Sequence, residues 1–207
     1  MKTIISIDMN IIMSPSLPLY CRDIREFSLI EQFIENNQYI EYAPADLGIY
    51  AKLTNELLIP YMKMLPKEKI HFVYGQEDTL HYLTEPSTLI NIDFNSDINE
   101  YIDRLYNDNW ISYGFDTNKI NNVIWITAIN SIKDIRNYNI DNSLTVSNCS
   151  IDLLPNADEI VISLSEEWIL PQYKPLINLW QDLFYHYYGE YPVIEEYQDE
   201  RELTNKI

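Results

Sequence analysis

The stretch TIISID, residues 3–8, is a short isoleucine-rich run that ends in an aspartate. Four later runs repeat this pattern: KIHFVY (69–74), TLINID (88–93), NVIWIT (122–127) and EIVISL (159–164). In each run the apolar residues are nearly continuous, whereas a strand with one face in water alternates apolar and polar residues. The five runs therefore predict strands of a parallel sheet that is covered on both faces.

Helical patterns alternate with these runs. Apolar residues recur at helical spacing within 22–37 and within 45–65, where Pro60 predicts a bend or an end. Asp97 is a candidate cap for a helix over 98–106, and residues 175–188 predict a final helix that stops at Gly189. Strands that alternate with helices predict an α/β fold, a three-layer sandwich with a mostly parallel central sheet.

The whole chain predicts one domain and a tail. With 207 residues, of which 46% are hydrophobic, it is long enough for a single domain with a sizeable core. We interpret residues 1–189 as one α/β domain and residues 190–207 as an acidic C-terminal tail. Asp8 interrupts the first apolar run too early for a signal peptide, and no apolar run is long enough to span a membrane. We therefore expect a cytoplasmic protein.

The charge and the rare residue types narrow the function. With 14 basic and 32 acidic residues the formal net charge is −18, which repels nucleic acid and anionic lipid and attracts basic partners. The same charge is explained equally well by solubility alone. The four glycines form no phosphate-binding loop, and Cys21 and Cys149 form neither a disulfide framework nor a thiolate zinc site.

Oxygen-rich side chains follow three of the predicted strands. Asp8 and Asn10 follow the first strand, Gln76 follows the second, and the stretch NIDFNSD (91–97) ends the third. In open α/β sheets, ligands bind at the carboxyl ends of the strands. The sequence therefore predicts a polar site where these three strand ends meet.

Five stretches, taken in order, resemble the arginase-like (ureohydrolase-like) superfamily, most closely the peptide arginases and their uncharacterised relatives. The stretches are SIDMNIIMSPSLPLY (6–20), YGQEDTL (74–80), NIDFNSD (91–97), NWISYGFDTNKINNVIWIT (109–127) and SEEWILPQY (165–173). Each stretch is weak alone, but together they cover most of the chain in the family's order. The resemblance implies an arginase-like fold and a pair of manganese ions that activate water for attack on a guanidinium carbon.

The resemblance also implies six metal-ligand positions, at Asp8, Asn10, Gln76, Asp93, Asn95 and Asp97. Only the three aspartates match the family pattern. Asn10 replaces an aspartate, Gln76 and Asn95 replace histidines, and Asn91 stands where the family often has another histidine. Because neutral amides bind transition metals more weakly than imidazole does, we expect a vestigial, unoccupied site and no cofactor.

The same residues have simpler interpretations. Asp97 can serve only as a helix cap, and Asp8 and Asp93 can accept hydrogen bonds from strand-end amides. His71 lies within a strand run, where a core histidine is more common than a ligand.

Two functions from different classes remain open. The first is a non-catalytic binding protein on an arginase-like scaffold, an immunity or inhibitor protein whose acidity captures a basic protein or an arginine-containing peptide. The alternative is a manganese-dependent peptide arginase that hydrolyses arginine side chains to ornithine and urea. A structural or assembly role is a third, less specific option.

Overall fold

The computed structural model describes residues 2–12, 47–93, 97–98, 105, 109–126, 144–147, 156–166, 169 and 173–195. Of the helices predicted over 22–37 and 98–106, only Ile98 and Leu105 belong to the described residues. Among these ranges, no helix is both long and apolar enough to span a membrane.

A parallel sheet forms the centre of the fold. Its seven described strands are β1 (Thr3–Asp8), β2 (Ile70–Val73), β3 (Ser87–Ile92), β4 (Ile120–Ile126), β5 (Leu144–Ser147), β6 (Glu159–Ser163) and the two-residue β7 (Ile194–Glu195). The order across the sheet is β5-β4-β3-β1-β6-β2-β7, and every neighbouring pair is parallel. The five predicted strands are confirmed, and no strand end lies more than two residues from its predicted position.

The central strands are covered on both faces, as their continuous apolar sequences predict. Every residue of β3 and β6 is buried. Successive side chains of a strand point to opposite faces, and β1 follows this rule: Ile5 and Ile7 pack into one apolar cluster while Ile4 packs into another. Two cores, one on each face of the sheet, explain why these strands carry no polar face.

Helices flank the sheet on both sides, which confirms the α/β class. The first cluster is covered by α1 (Leu47–Lys52), α2 (Ile59–Met64) and α4 (Pro175–Tyr188). The second is covered by α3 (Trp110–Asp116) and by a 3-10 helix over Gln76–His81.

Near Pro60, where the sequence predicts a bend or an end of the helix, the chain forms a π-helical segment. Residues Leu53–Leu58 form π-helix between α1 and α2, and Pro60 lies in the first turn of α2. Proline has no N–H and its ring crowds the carbonyl four residues earlier, so a wider turn before it relieves the clash. The chain therefore stays helical from α1 through α2 instead of ending at the proline.

Helix α4 begins and ends where its sequence predicts. Pro175 occupies its first turn, and Gly189 follows its end with φ 77 in the left-handed region that glycine adopts without strain. Its inner face packs Trp180 and Phe184 into the first cluster, and the Trp180 indole donates to Thr54 Oγ1 at 2.8 Å. The helix is thereby fixed to the π-helical segment.

Candidate functional site

The strand order places a topological switch point at the carboxyl ends of β1 and β3. These strands are neighbours, but the strands that follow them in the chain, β2 and β4, lie on opposite sides of the pair. Ligands of open α/β sheets bind where the connections diverge in this way. Asp8 ends β1 and Asp93 immediately follows β3, so the two buried carboxylates lie at this switch point.

Asp8 is held by hydrogen bonds from its surroundings. One carboxylate oxygen accepts the Asn10 backbone N–H and the other accepts the Ser165 hydroxyl, both at 2.8 Å. Since the Ser165 proton is directed at Asp8, the 2.8 Å contact between the Ser163 and Ser165 hydroxyls has Ser163 as its donor. The first of these bonds is the strand-end amide contact that the simpler interpretation of Asp8 predicts.

Gln76 brings the end of β2 to the end of β3. Its side chain is buried, and one atom of its amide group lies 2.7 Å from Asp97 Oδ2 and 3.0 Å from Asp93 Oδ2. The other atom of the amide group lies 2.7 Å from the side-chain amide of Asn91, which is fully buried in β3. Four residues singled out from the sequence therefore form one cluster, which we call the Gln76 cluster: Gln76, Asn91, Asp93 and Asp97.

The chemistry of the Gln76 cluster depends on which amide atom faces the carboxylates. With the nitrogen toward them, Gln76 donates to both Asp93 and Asp97, and its oxygen faces the Asn91 side chain. The Asn91 amide is then turned as well, so that its nitrogen, otherwise buried without a partner, donates to the Gln76 oxygen. In the opposite orientation the nitrogen donates to Asn91, and the Gln76 oxygen meets two carboxylate oxygens. Donors face acceptors only in the first orientation, so we assign the nitrogen to the carboxylate side.

Two tryptophans fix the carboxylate side of this cluster. The Trp110 indole donates to Asp97 Oδ2 at 2.8 Å, and the Trp125 indole donates to the Asp93 carbonyl at 3.0 Å. Both rings are buried, so their N–H groups need such partners. Asp97 itself has φ 51, a left-handed conformation that aspartate tolerates better than most residues. The helix that Asp97 was predicted to cap lies almost wholly outside the described residues.

The donors in this cluster do not suit two manganese ions. An amide N–H already stands between the Asp93 and Asp97 carboxylates, where a bridging cation would bind, and imidazole is missing from the cluster. Within the described parts of the chain, no three His, Cys, Asp or Glu side chains are grouped closely enough to hold a metal ion. Asn95 lies outside the described residues, and the Asn10 side-chain oxygen is buried without a hydrogen-bond partner in the described structure.

Sequence reasoning missed the contribution of β6. Ser163 and Ser165 belong to the end of this strand, next to β1, and they bind Asp8 through one hydroxyl chain. Ligands of open α/β sheets bind at the carboxyl ends of the strands, and this rule applies to the end of EIVIS as it does to the ends of β1 and β3. The sequence therefore contained the information needed to include Ser163 and Ser165. The left-handed φ of 40 at Ser165 had no sequence signal, because it depends on the bond to Asp8.

The opposite, amino edge of the sheet carries an ion-pair cluster. Glu159, the first residue of β6, pairs with Lys2 at 2.8 Å and with Lys69, and His71 Nε2 lies 3.8 Å from it. Burial alone would raise the pKa of Glu159, but the two lysines outweigh burial and hold that pKa below its usual value. Burial lowers the pKa of His71, whose ring stacks on Tyr82 at 3.8 Å as a core histidine would.

Fold and site together define a parallel α/β protein with an amide-filled acidic cluster at the carboxyl edge of its sheet. Comparisons with known protein families, with curated proteins and with solved structures gave no match for this chain. The chemistry of its own residues is therefore what supports a function.

Proposed function

We propose that this chain is a non-catalytic binding protein on an arginase-like scaffold, in which the dimanganese site has decayed. In this proposal it works in the cytoplasm as an acidic immunity or inhibitor protein for a basic protein partner. The observation that carries the proposal is the Gln76 amide, whose N–H group stands between Asp93 and Asp97. A neutral donor in that place satisfies both carboxylates without a cation.

Two further observations support a binding role. The amides at Gln76 and Asn91 hydrogen-bond each other, so the middle of the former ligand set is occupied by protein contacts. The net charge of −18 steers basic partners to the surface. Association of this kind is fast and weakens steeply as salt is added.

Metal analysis combined with binding tests the proposal. We expect the protein, purified without chelator and dialysed against manganese, to hold much less than one ion per chain. Titrated with a nona-arginine peptide as the basic probe, it should bind at low salt and release the peptide as NaCl approaches about 0.5 M. Two bound manganese ions per chain would contradict the loss of the metal site, and no binding of the cationic peptide would contradict the binding role.

The alternative function is a metal-dependent peptide arginase. It is favoured by one observation, the burial of Asp8, Asp93 and Asp97 at the same sheet edge, where hard cations find oxygen ligands. If this function is correct, manganese-loaded protein should release urea from an arginine-containing peptide. An Asp93→Asn variant would serve as the control, because it removes a carboxylate and should abolish the release.

A further inference from the structure

The C-terminal half of α4 and the segment after it present an exposed aromatic surface. Tyr185, Tyr191 and Val193 are 47%, 59% and 76% exposed, and the two tyrosine rings stack with centroids 4.8 Å apart. Single exposed apolar residues are common on proteins, but contiguous ones mark interaction sites. We call the stacked pair Tyr185 and Tyr191, with the neighbouring carboxylate of Asp182, the tyrosine surface.

The tyrosine surface is held in place before any partner binds. Tyr191 donates its hydroxyl to Asp182 Oδ1 at 3.0 Å, which adds to the ring stack on Tyr185. From Tyr191 to Glu195 the residues alternate between exposed and partly buried, as in an extended strand. The inward residues include Ile194, which packs on the first apolar cluster and pairs with Phe72 of β2. A partner therefore has little to order when it binds.

The chemistry of the surface selects the cation of arginine. Tyrosine faces attract a guanidinium group by stacking and cation–π interaction, which a compact, strongly hydrated lysine ammonium exploits less well. The Asp182 carboxylate beside the rings is an acceptor for the N–H groups of a guanidinium. The net charge of −18 makes a basic surface the complementary partner.

We propose that the tyrosine surface is where the basic partner binds, and that it does so by receiving arginine side chains. This inference rests on the proposed binding function, and it uses none of the residues of the Gln76 cluster. Tyr185 and Tyr191 provide the stacking faces, and the Asp182 carboxylate provides the acceptor.

Two peptide probes test the proposal on the full chain. The affinities of nona-arginine and nona-lysine peptides are measured by calorimetry at low salt, for the native protein and for a Tyr185→Ala/Tyr191→Ala variant. The native protein should prefer nona-arginine by about fivefold, and the variant should bind it about tenfold more weakly. Nona-lysine binding should change less than twofold, because the variant keeps the net charge.

A Leu179→Ala variant is the matched control. Leu179 is 53% exposed on the same helix, but it lies six residues before Tyr185 and points about 120° away from it around the helix axis. Its removal should leave both affinities unchanged. Circular dichroism confirms that each variant is folded, which the exposure of these side chains favours.

The outcomes separate this inference from the function on which it rests. If the native protein binds neither peptide, the proposed binding function fails and this inference fails with it. If the native protein binds both peptides and the double variant binds them equally well, the binding function survives and the tyrosine surface is excluded. Loss of nona-arginine binding in the double variant alone, with Leu179→Ala unaffected, supports the tyrosine surface.

Discussion

At the scale of single residues, the orientation of the Gln76 amide decides the chemistry of the sheet edge. With its nitrogen toward Asp93 and Asp97 the group is a neutral donor between two acceptors. With its oxygen there, three oxygens would converge and would require a cation or a proton between them. The difference between a binding scaffold and a metal site therefore depends on one pair of atoms.

Replacing Gln76 by glutamate tests this orientation. Gln76→Glu keeps the shape but places a third buried carboxylate against Asp93 and Asp97, so we expect a loss of about 3 kcal/mol in the free energy of unfolding. Urea denaturation at pH 7 measures it. Asn55→Asp makes the same chemical change at an exposed amide and should cost about 0.5 kcal/mol or less. Equal or higher stability of Gln76→Glu would contradict a donating amide between the two carboxylates.

Ser165 separates hydrogen bonding from backbone strain. Ser165→Ala removes the hydroxyl that donates to the buried Asp8 carboxylate and should cost about 2 kcal/mol. Ser165→Gly removes the same hydroxyl but suits the left-handed φ of 40, so it should recover about 1 kcal/mol of that loss. Urea denaturation of both variants compares them. An alanine variant more stable than the glycine variant would contradict the strain at this position.

At the scale of whole elements, sequence patterns predicted the strands whose residues are buried on both faces. They missed the short strands that form only because a neighbouring strand offers hydrogen-bond partners. β1, β3 and β6 were predictable because each is an apolar run buried on both faces. β7 has only two residues, and it exists because the β2 edge offers it hydrogen-bond partners, so no periodicity marks it. β5, with the sequence LTVS, is too short for its pattern to be distinguished from a loop.

The carboxyl end of α4 gives a prediction at this scale. Gly189 has φ 77, and nothing lies within 4 Å of where its Cβ would be, so a side chain there meets backbone strain and no steric clash. We expect Gly189→Ala to cost about 1 kcal/mol, and Gly189→Asn to cost less because asparagine tolerates this conformation. Thermal unfolding followed by circular dichroism distinguishes them. Equal stabilities of the two variants would argue against strain as the cause.

Three strands share the ion-pair cluster at the amino edge, and this cluster should make stability depend on pH. The pKa of Glu159 is lower in the folded chain than its usual 4.5, so its contribution is full above about pH 4.5 and is lost as pH falls through the lower folded value. The pKa of His71 is also lowered, from 6.5. The unfolded chain therefore takes up a proton below pH 6.5 before the folded chain does, and stability falls there too.

Glu159→Gln tests this pH dependence. At pH 7 we expect the free energy of unfolding to fall by about 2–3 kcal/mol. Breaking a buried ion pair typically costs roughly 3–5 kcal/mol, and the cost here is smaller because Lys69 can turn to solvent. Urea denaturation between pH 7.5 and about pH 3 should show the loss shrinking below about pH 4.5. The decline in stability that begins near pH 6.5 should persist in the variant, because His71 is still present. A loss independent of pH would contradict an ionised role for Glu159.

At the scale of the whole molecule, excess negative charge is the dominant property, and it is readable from the sequence alone. Five described lysines already pair with glutamates, at Lys2, Lys52, Lys67, Lys69 and Lys174. The chain still carries 32 acidic residues against 14 basic ones. What the sequence could not predict is where a partner meets this charge, because Tyr185 and Tyr191 come together only through the turn after α4.

This charge should make the folded chain more stable as salt is added. A net charge of −18 repels itself in the compact state. Raising NaCl from about 0.01 M to about 0.3 M shortens the screening length from about 30 Å to less than 10 Å, which weakens that repulsion. We expect a gain of about 1 kcal/mol and a Tm higher by about 2–4 °C, measured by calorimetry. KCl should give the same rise, since screening depends on ionic strength and not on which monovalent cation is present. A Tm that falls with NaCl would mean that the exposed ion pairs contribute more than the repulsion, and a larger rise with manganese at equal ionic strength would reveal a specific cation site.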